Sequence, residues 1–199
     1  TTDLFQIREP ERQGITALDG TGLIAAQSTG RATWVLVPAP EAAPTAPRQH
    51  FVSGTLRYRQ EGVLITIPLE QAMITVLPSP RLVVQYFHQR DVHSDDPFTD
   101  EIEPAEPFSL GMLIHNEGFG VARNFRITSG QPTIVDNQKG LLVNFEIIAT
   151  EVAGVGLTPS LTANFGDLLP GDRKVGRWLL KSSLQGLFID YRAAFEHVD

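Results

Sequence analysis

Apolar and polar residues alternate with a period of two along most of this chain, which is the pattern of β-strands that bury one face. The segment Ser109–Ile114 offers Leu110, Met112 and Ile114 as an inward set. In Leu187–Val198 charged residues separate the apolar ones, which are Leu187, Ile189, Tyr191, Ala193 and Phe195. Since no segment carries a 3.6-residue apolar stripe over three turns, the pattern predicts an all-β fold.

Three further rows are predicted to face inward on the same grounds. One lies late in the chain and alternates with Asn144 and Glu146: Leu141, Val143, Phe145 and Ile147. The other two lie in the first third: Val63, Ile65, Ile67 and Leu69, and Ala32, Trp34 and Leu36.

Turn residues separate these strands. Asp19-Gly20 and Glu61-Gly62 lie between strand-like runs, and Asp136–Gly140 is predicted to join Pro132–Val135 to Leu141–Ile148 as a hairpin. Leu169-Pro170-Gly171-Asp172 has the proline and glycine of a type II turn. Short strands with turns this frequent predict antiparallel β-sandwiches.

Prolines indicate the domain organisation. Eleven of the 14 prolines precede residue 108, and Pro78 and Pro80 lie between two predicted strands. A boundary there predicts a small β-sandwich domain at 1–79 and a larger one at 80–199. The chain begins with Thr1, which we interpret as the start of a processed product or of a piece cut from a longer protein.

Two motifs of the second domain are typical of a known family. The run from Leu113 to Phe125, LIHNEGFGVARNF, resembles the N-x-G-x-G-x-A hairpin of the cell-adhesion-related bacterial Ig-like (CARDB-type) domains. Leu168–Gly171 followed by Val175 and Trp178 is similar to their L-x-P-G turn and strand. In this hairpin Asn116 and Gly118 are predicted to need positive φ, and Gly120 to form a bulge.

The resemblance covers about residues 82–199 and implies an immunoglobulin-like sandwich, so the fold expected is two tandem Ig-like antiparallel domains. Trp178 and Phe125 would pack between the two sheets. The resemblance also implies a non-catalytic repeat of a large extracellular or cell-surface protein.

The negative charge of the chain is concentrated in one segment. The net charge is −7, and Asp91–Glu106 contains seven acids without Lys or Arg, while the remaining 16 acids balance 16 bases. The absence of a basic stripe argues against nucleic acid and anionic membrane surfaces as partners, and no apolar run is long enough for membrane insertion. The absence of cysteine excludes disulfides, thiolate metal sites and a cysteine nucleophile.

The acidic segment is the candidate metal site. Ca²⁺ prefers six or more oxygen ligands on flexible loops, and the candidate ligands are Asp91, Asp95, Asp96, Asp100, Glu101 and Glu103. Asp91, Asp95 and Asp96 are the first choice among them. Since no EF-hand or related pattern is present, the alternative of a solvated acidic loop stays open.

The sequence gives weaker signals for zinc binding, nucleophilic catalysis and glycan binding. The five histidines lack zinc spacing. No G-x-S-x-G nucleophile elbow is present, and Ser182-Ser183 is followed by Leu184-Gln185-Gly186, which is predicted to be a turn between two strands. The aromatics Trp34, Tyr58, Tyr86 and Trp178 would serve either as core residues or as a platform for a glycan.

We therefore expect no enzyme. The predicted function is that of a structural or adhesive module of a secreted or cell-surface protein, acting as a spacer or assembly repeat, with calcium as a candidate stabiliser of its acidic loop. Its partners would be neighbouring domains or other protein subunits. A carbohydrate-binding module and an accessory domain of a glycan-acting hydrolase are the alternatives.

Overall fold

The computed structural model describes residues 4–129, 132–133, 143–187, 190–191 and 194–196. These residues form antiparallel β-strands and one short 3₁₀ helix at Pro40–Ala42, which confirms the all-β prediction. The chain divides into two compact units, unit 1 at Thr1–Ser79 and unit 2 at Pro80–Asp199.

Unit 1 consists of two-stranded antiparallel ribbons. Two ribbons form near the start, where β1 (Phe5–Ile7) pairs with β4 (Leu36–Pro38) and β2 (Glu11–Gln13) pairs with β3 (Arg31–Thr33). Further along, β5 (Arg48–Val52) pairs with β8 (Ala72–Val76), and β6 (Thr55–Gln60) with β7 (Val63–Pro68). Each described sheet of this unit therefore has only two strands.

The two inward rows predicted for unit 1 are not covered. Val63, Ile67 and Leu69 are exposed, while Ile65 is half-buried. Trp34 is exposed between the half-buried Ala32 and Leu36. Alternation placed Val63, Ile65 and Ile67 on one face of β7, but a two-stranded ribbon has no second layer to cover that face. The prediction of one row for Ala32, Trp34 and Leu36 was wrong, because β3 ends at Thr33 and β4 begins at Leu36 in a different ribbon.

Unit 2 contains a five-stranded and a three-stranded sheet. The order in the larger sheet is β15–β14–β17–β11–β9, with β9 (Leu82–His88), β11 (Phe108–Asn116), β14 (Phe145–Val152), β15 (Val155–Leu157) and β17 (Arg173–Ser182). The smaller sheet has the order β16–β12–β20, with β12 (Ala122–Ser129), β16 (Ala163–Leu168) and β20 (Ala194–Glu196). Two short pairs complete the unit: β10 (Asp91–Val92) with β18 (Gly186–Leu187), and β13 (Pro132–Thr133) with β19 (Asp190–Tyr191).

One hydrophobic core joins the two larger sheets, which makes unit 2 sandwich-like. Leu110, Met112 and Ile114 are fully buried, as the alternation predicted. Trp178 from the larger sheet and Phe125 from the smaller one are both buried in this core. Phe145 and Ile147 pack partly buried against it. The predicted hairpin at Asp136–Gly140, Leu141, and the side chains beyond Leu187 lie outside the described residues.

Local turn chemistry is as predicted at two places. Asp172 N donates to Leu169 O at 3.0 Å, and Gly171 has a φ of 83°, which together make a type II turn. Glu61 and Gly62 have φ values of 49° and 84°, as the tight hairpin between β6 and β7 requires.

The predicted backbone of the glycine-rich hairpin was wrong. Asn116 is the last residue of β11, and neither it nor Gly118 has a positive φ. The bulge lies further along, where the pairing of β12 with β16 shifts between Ala122 and Phe125. Asn124 there has a φ of 47° and Gly166 on the partner strand has 65°. A bulge depends on both strands of a pair, so one strand's sequence did not place it.

Candidate functional site

The acidic segment is attached to the end of the larger sheet. Val92 of β10 is buried in the core. The buried Ser94 hydroxyl donates to Ser182 O at 2.8 Å, and Gln185 N donates to Asp95 O at 3.0 Å. These two hydrogen bonds join the segment to the last residue of β17 and to the chain just after it, so the loop begins from a fixed position.

Within this loop the acidic side chains bind backbone amides. Asp95 Oδ1 accepts from Glu103 N at 3.2 Å, and Glu103 Oε2 accepts from Asp96 N at 3.0 Å. Asp96 Oδ1 accepts from Phe98 N at 3.0 Å, and Thr99 Oγ1 donates to Glu103 Oε1 at 3.1 Å. The carboxylates therefore close the loop from 95 to 103 on itself, which gives them a structural role in the loop.

The six predicted calcium ligands are only partly brought together. Asp95, Asp96 and Glu103 share the hydrogen bonds just described, whereas Asp91 lies on β10, paired with Leu187. Asp100 and Glu101 are exposed, and their side chains take no part in those hydrogen bonds. In the part of the chain that the structure describes, no three acidic or histidine side chains form a group suited to a metal ion.

An open cleft of about 390 Å³ lies beside the loop. Its lining combines loop residues with the turn after β17: Asp91, Val92, His93, Asp96, Pro97, Phe98, Gln185 and Gly186. Paired-carboxylate hydrolysis requires one acid in an apolar, enclosed environment. This cleft is open, and the Asp96 carboxylate that lines it accepts the Phe98 amide, so it differs from such an enclosed environment.

The hydrogen bond from the Asp96 amide, supported by that from Thr99, holds the pKa of the Glu103 carboxyl below its ordinary value of 4.5. Because the folded-state pKa is the lower one, this contact stabilises the loop above pH 4.5 and is lost as the pH falls through the folded value. We expect a carbon-13 NMR titration of Glu103 to give a midpoint below 4.5, and Thr99→Val to raise that midpoint. A midpoint at or above 4.5 in the unaltered protein would contradict the hydrogen-bonded loop.

The predicted aromatic platform loses a member. Trp178 is 1% exposed, and its Nε1 donates to Ser160 O at 3.0 Å, so it belongs to the core. Trp34 and Tyr58 in unit 1 are 50% and 39% exposed. Tyr86 in unit 2 is 52% exposed. These three aromatic residues are therefore surface residues, two in unit 1 and one in unit 2.

The turn predicted at Leu184–Gly186 is confirmed in part: the chain bends at Ser183 and Leu184, between β17 and β18, and Gly186 already belongs to β18. Ser182 ends β17 and is buried, and its hydroxyl donates to Leu184 O at 2.7 Å. His88 and His115 lie on β9 and β11, and His93 lies in the loop after β10. The Nδ1 atom of His88 is the one buried side-chain polar atom without a hydrogen-bond partner among the described residues.

The residue whose role the sequence did not reveal is Asn116. Its side chain is completely buried, and Nδ2 donates to Gly120 O at 2.8 Å and to Leu168 O at 3.0 Å. Its Oδ1 accepts from Gly118 N at 3.0 Å and from Arg81 N at 3.2 Å. The side-chain amide of Asn116 thus donates two hydrogen bonds and accepts two. It connects the turn at Gly118 and Gly120 with Arg81 and Leu168, which lie 35 and 52 residues away in sequence.

The backbone of Asn116 extends the same network. Asn116 N donates to Asp172 O at 3.0 Å, and Gly171 N donates to Asn116 O at 2.8 Å. The type II turn before β17 is thereby bound to the end of β11. A resemblance to a glycine-rich hairpin drew attention to this residue, but only the fold shows that it faces inward.

No known family model, curated protein or solved structure matches this chain. None of the helical structure in the described residues is long and apolar enough to cross a membrane. The function is therefore argued from the geometry of the molecule.

Proposed function

We propose that this chain is a non-catalytic structural or adhesive module of a larger secreted or cell-surface protein, acting as a spacer and assembly repeat. Its partners would be neighbouring domains of the same protein or other protein subunits. The observation that carries the proposal is the Asn116 network, because it fastens the segment through which the chain enters unit 2.

That entry segment is hydrogen-bonded through both backbone groups of one residue, Arg81. Arg81 immediately precedes β9, and its N–H donates to Asn116 Oδ1 while its carbonyl accepts from Glu117 N at 2.8 Å. From there β9 pairs with β11 over seven residues, from Leu82 opposite Asn116 to His88 opposite Leu110. A force that pulls on the start of unit 2 must therefore break the hydrogen bonds of Arg81 with Asn116 and Glu117 before β9 separates from β11. A spacer that is held under tension requires such resistance.

Two sheets around one core also support an immunoglobulin-like arrangement for unit 2. We restrict that part of the proposal to unit 2, since the described strands of unit 1 form ribbons. The calcium hypothesis for the acidic loop stays a prediction. Its loop hydrogen bonds offer the alternative that carboxylates alone order the segment.

Single-molecule stretching of the full chain tests the proposal. We expect unit 2, Pro80–Asp199, to unfold in one step with a resolved force peak and to lengthen the chain by up to about 400 Å, from roughly 3.5 Å per residue. Asn116→Asp should lower that force, whereas Asn144→Asp, at an exposed position, should not. Unfolding of unit 2 without a measurable peak would contradict a mechanical role.

Carbohydrate binding is the second candidate, and the exposed Trp34 favours it. Stacking of a sugar ring needs an exposed aromatic face, which Trp34 supplies in unit 1. Retention on a glycan that Trp34→Ala abolishes would favour this alternative over a purely structural role.

A further inference from the structure

The negative charge of the acidic segment Asp91–Glu106 is not balanced by the described part of the chain. The segment contains seven acids and no Lys or Arg, and it accounts for the whole net charge of −7. The ion pairs that the structure describes all involve Glu117 or Glu151, which lie outside this segment. An uncompensated concentration of one sign of charge attracts a partner of the opposite sign.

Two acids of the segment line the open cleft of about 390 Å³ beside the loop. Asp91 is exposed and precedes the buried Val92 in β10, and neighbouring side chains of a strand point to opposite faces, so the Asp91 carboxylate points away from the core. Asp96 Oδ1 accepts from Phe98 N, which fixes the second carboxylate at the wall of the cleft. Among the described residues that line the cleft there is no Lys or Arg.

Apolar surface lies beside these carboxylates. Pro97 and Phe98 line the same cleft, and Phe98 is 65% exposed. Ile102, further along the segment, is 90% exposed, the highest value for a large hydrophobic side chain in the described part of the chain. A bare metal ion makes no use of apolar groups, whereas a Lys or Arg side chain combines an aliphatic stem with a charged head. The mixed lining therefore fits a long basic side chain.

The walls of the cleft are joined by backbone pairing. One wall is the acidic segment, and the other is formed by Gln185 and Gly186 after β17. Gly186 pairs with Val92, and Gln185 N donates to Asp95 O at 3.0 Å. A recess whose walls are already connected loses little conformational freedom when a ligand enters it, so less of the interaction energy is spent on ordering.

We propose that this cleft binds a basic segment of a partner protein, with one Arg or Lys side chain seated in it. The charged head faces the carboxylates of Asp91 and Asp96, and the stem packs against Phe98, whose ring also attracts a cation. The volume of about 390 Å³ lies within the range of pockets that hold small ligands, so it suits a single long side chain. An acidic segment is repelled by the same carboxylates.

This inference rests on the proposed function, because it takes the partner to be a protein subunit and names the chemistry of its contact. The two proposals can fail separately. The force peak of unit 2 depends on Arg81 and Asn116, and neither of them lines the cleft. A missing force peak therefore leaves the binding result unchanged, and missing binding leaves the force peak unchanged.

Fluorescence anisotropy of a dye-labelled peptide with the full chain tests the inference. The probe alternates arginine with serine, and a comparison peptide has glutamate in place of arginine. We expect saturable binding of the arginine peptide with a Kd below about 1 mM, and no binding of the glutamate peptide. Asp91→Asn combined with Asp96→Asn should weaken binding at least about tenfold, because both charges at the cleft are removed while asparagine keeps the Oδ1 acceptor for Phe98 N.

Asp100→Asn combined with Glu101→Gln is the matched control. It removes two charges from the same segment at exposed positions that do not line the cleft. In about 150 mM salt it should change the Kd by less than about threefold, because exposed charges more than about 8 Å apart are largely screened. Circular dichroism and the urea midpoint should match the parent for both double variants. Asp91→Asn alone supplies the measurement if the Asp96 exchange disturbs the loop, since the hydrogen bonds within the loop do not use the Asp91 carboxylate.

Two results would overturn the inference. One is the absence of saturable binding of the arginine peptide up to about 1 mM protein. The other is an equal effect of the two double exchanges, which would mean that the peptide responds to the total charge of the segment and not to the cleft.

Discussion

Asn116→Asp is expected to destabilise unit 2 by about 3–6 kcal/mol. The exchange replaces the Nδ2 donor by an oxygen, which then faces the carbonyl oxygens of Gly120 and Leu168 at 2.8 and 3.0 Å. Two carbonyls lose their donor, each at about 1–3 kcal/mol, and the new carboxylate is completely buried.

Urea denaturation measured by tryptophan fluorescence checks this expectation. A Trp34→Phe background leaves Trp178 as the one tryptophan, so the signal reports on the core of unit 2. Asn144→Asp makes the same exchange at an exposed position and should change the free energy of unfolding by no more than about 0.5 kcal/mol. Equal effects of the two substitutions would show that the Asn116 network contributes little.

Trp178→Ala is expected to cost unit 2 about 3–5 kcal/mol, the usual range for removing a buried aromatic side chain. Trp178 is among the largest fully buried side chains, and its indole donates to Ser160 O. The same carbonyl accepts the Thr150 hydroxyl at 3.0 Å, and Thr150 pairs with Trp178 across the sheet. The substitution thus leaves a cavity and loosens the loop that contains Ser160.

The other tryptophan supplies the control. Trp34 is half-exposed, so Trp34→Ala should cost about 1 kcal/mol or less. Because both substitutions remove a fluorophore, circular dichroism in urea is the suitable measurement. A difference below about 1 kcal/mol between the two variants would contradict the assignment of Trp178 to a tightly packed core.

In the acidic loop, composition predicts the charge but not the partners of the carboxylates. Sequence identified the segment Asp91–Glu106 as the source of the net charge, and this is a property of the chain that no fold can change. Whether carboxylates bind an ion or a backbone amide depends on which groups the loop brings within about 3 Å. In the described structure Asp95, Asp96 and Glu103 face amides of their own loop.

The sequence by itself determined those features that depend on neighbouring residues. Alternation specified β-strands and placed Leu110, Met112 and Ile114 on one face, and proline and glycine specified the turn at Leu169–Asp172. These features follow from backbone geometry within a few residues, so a single segment contains the information.

Only the tertiary structure decided which faces are covered. The row beginning at Val63 alternates as regularly as the row beginning at Leu110, yet Val63 is exposed because its described sheet consists of β6 and β7 alone and no second layer covers this side chain there. The same holds for Asn116, whose partners Arg81 and Leu168 lie 35 and 52 residues away in sequence. Burial and long-range hydrogen bonds are properties of pairs of segments, and alternation within one segment does not specify its partner.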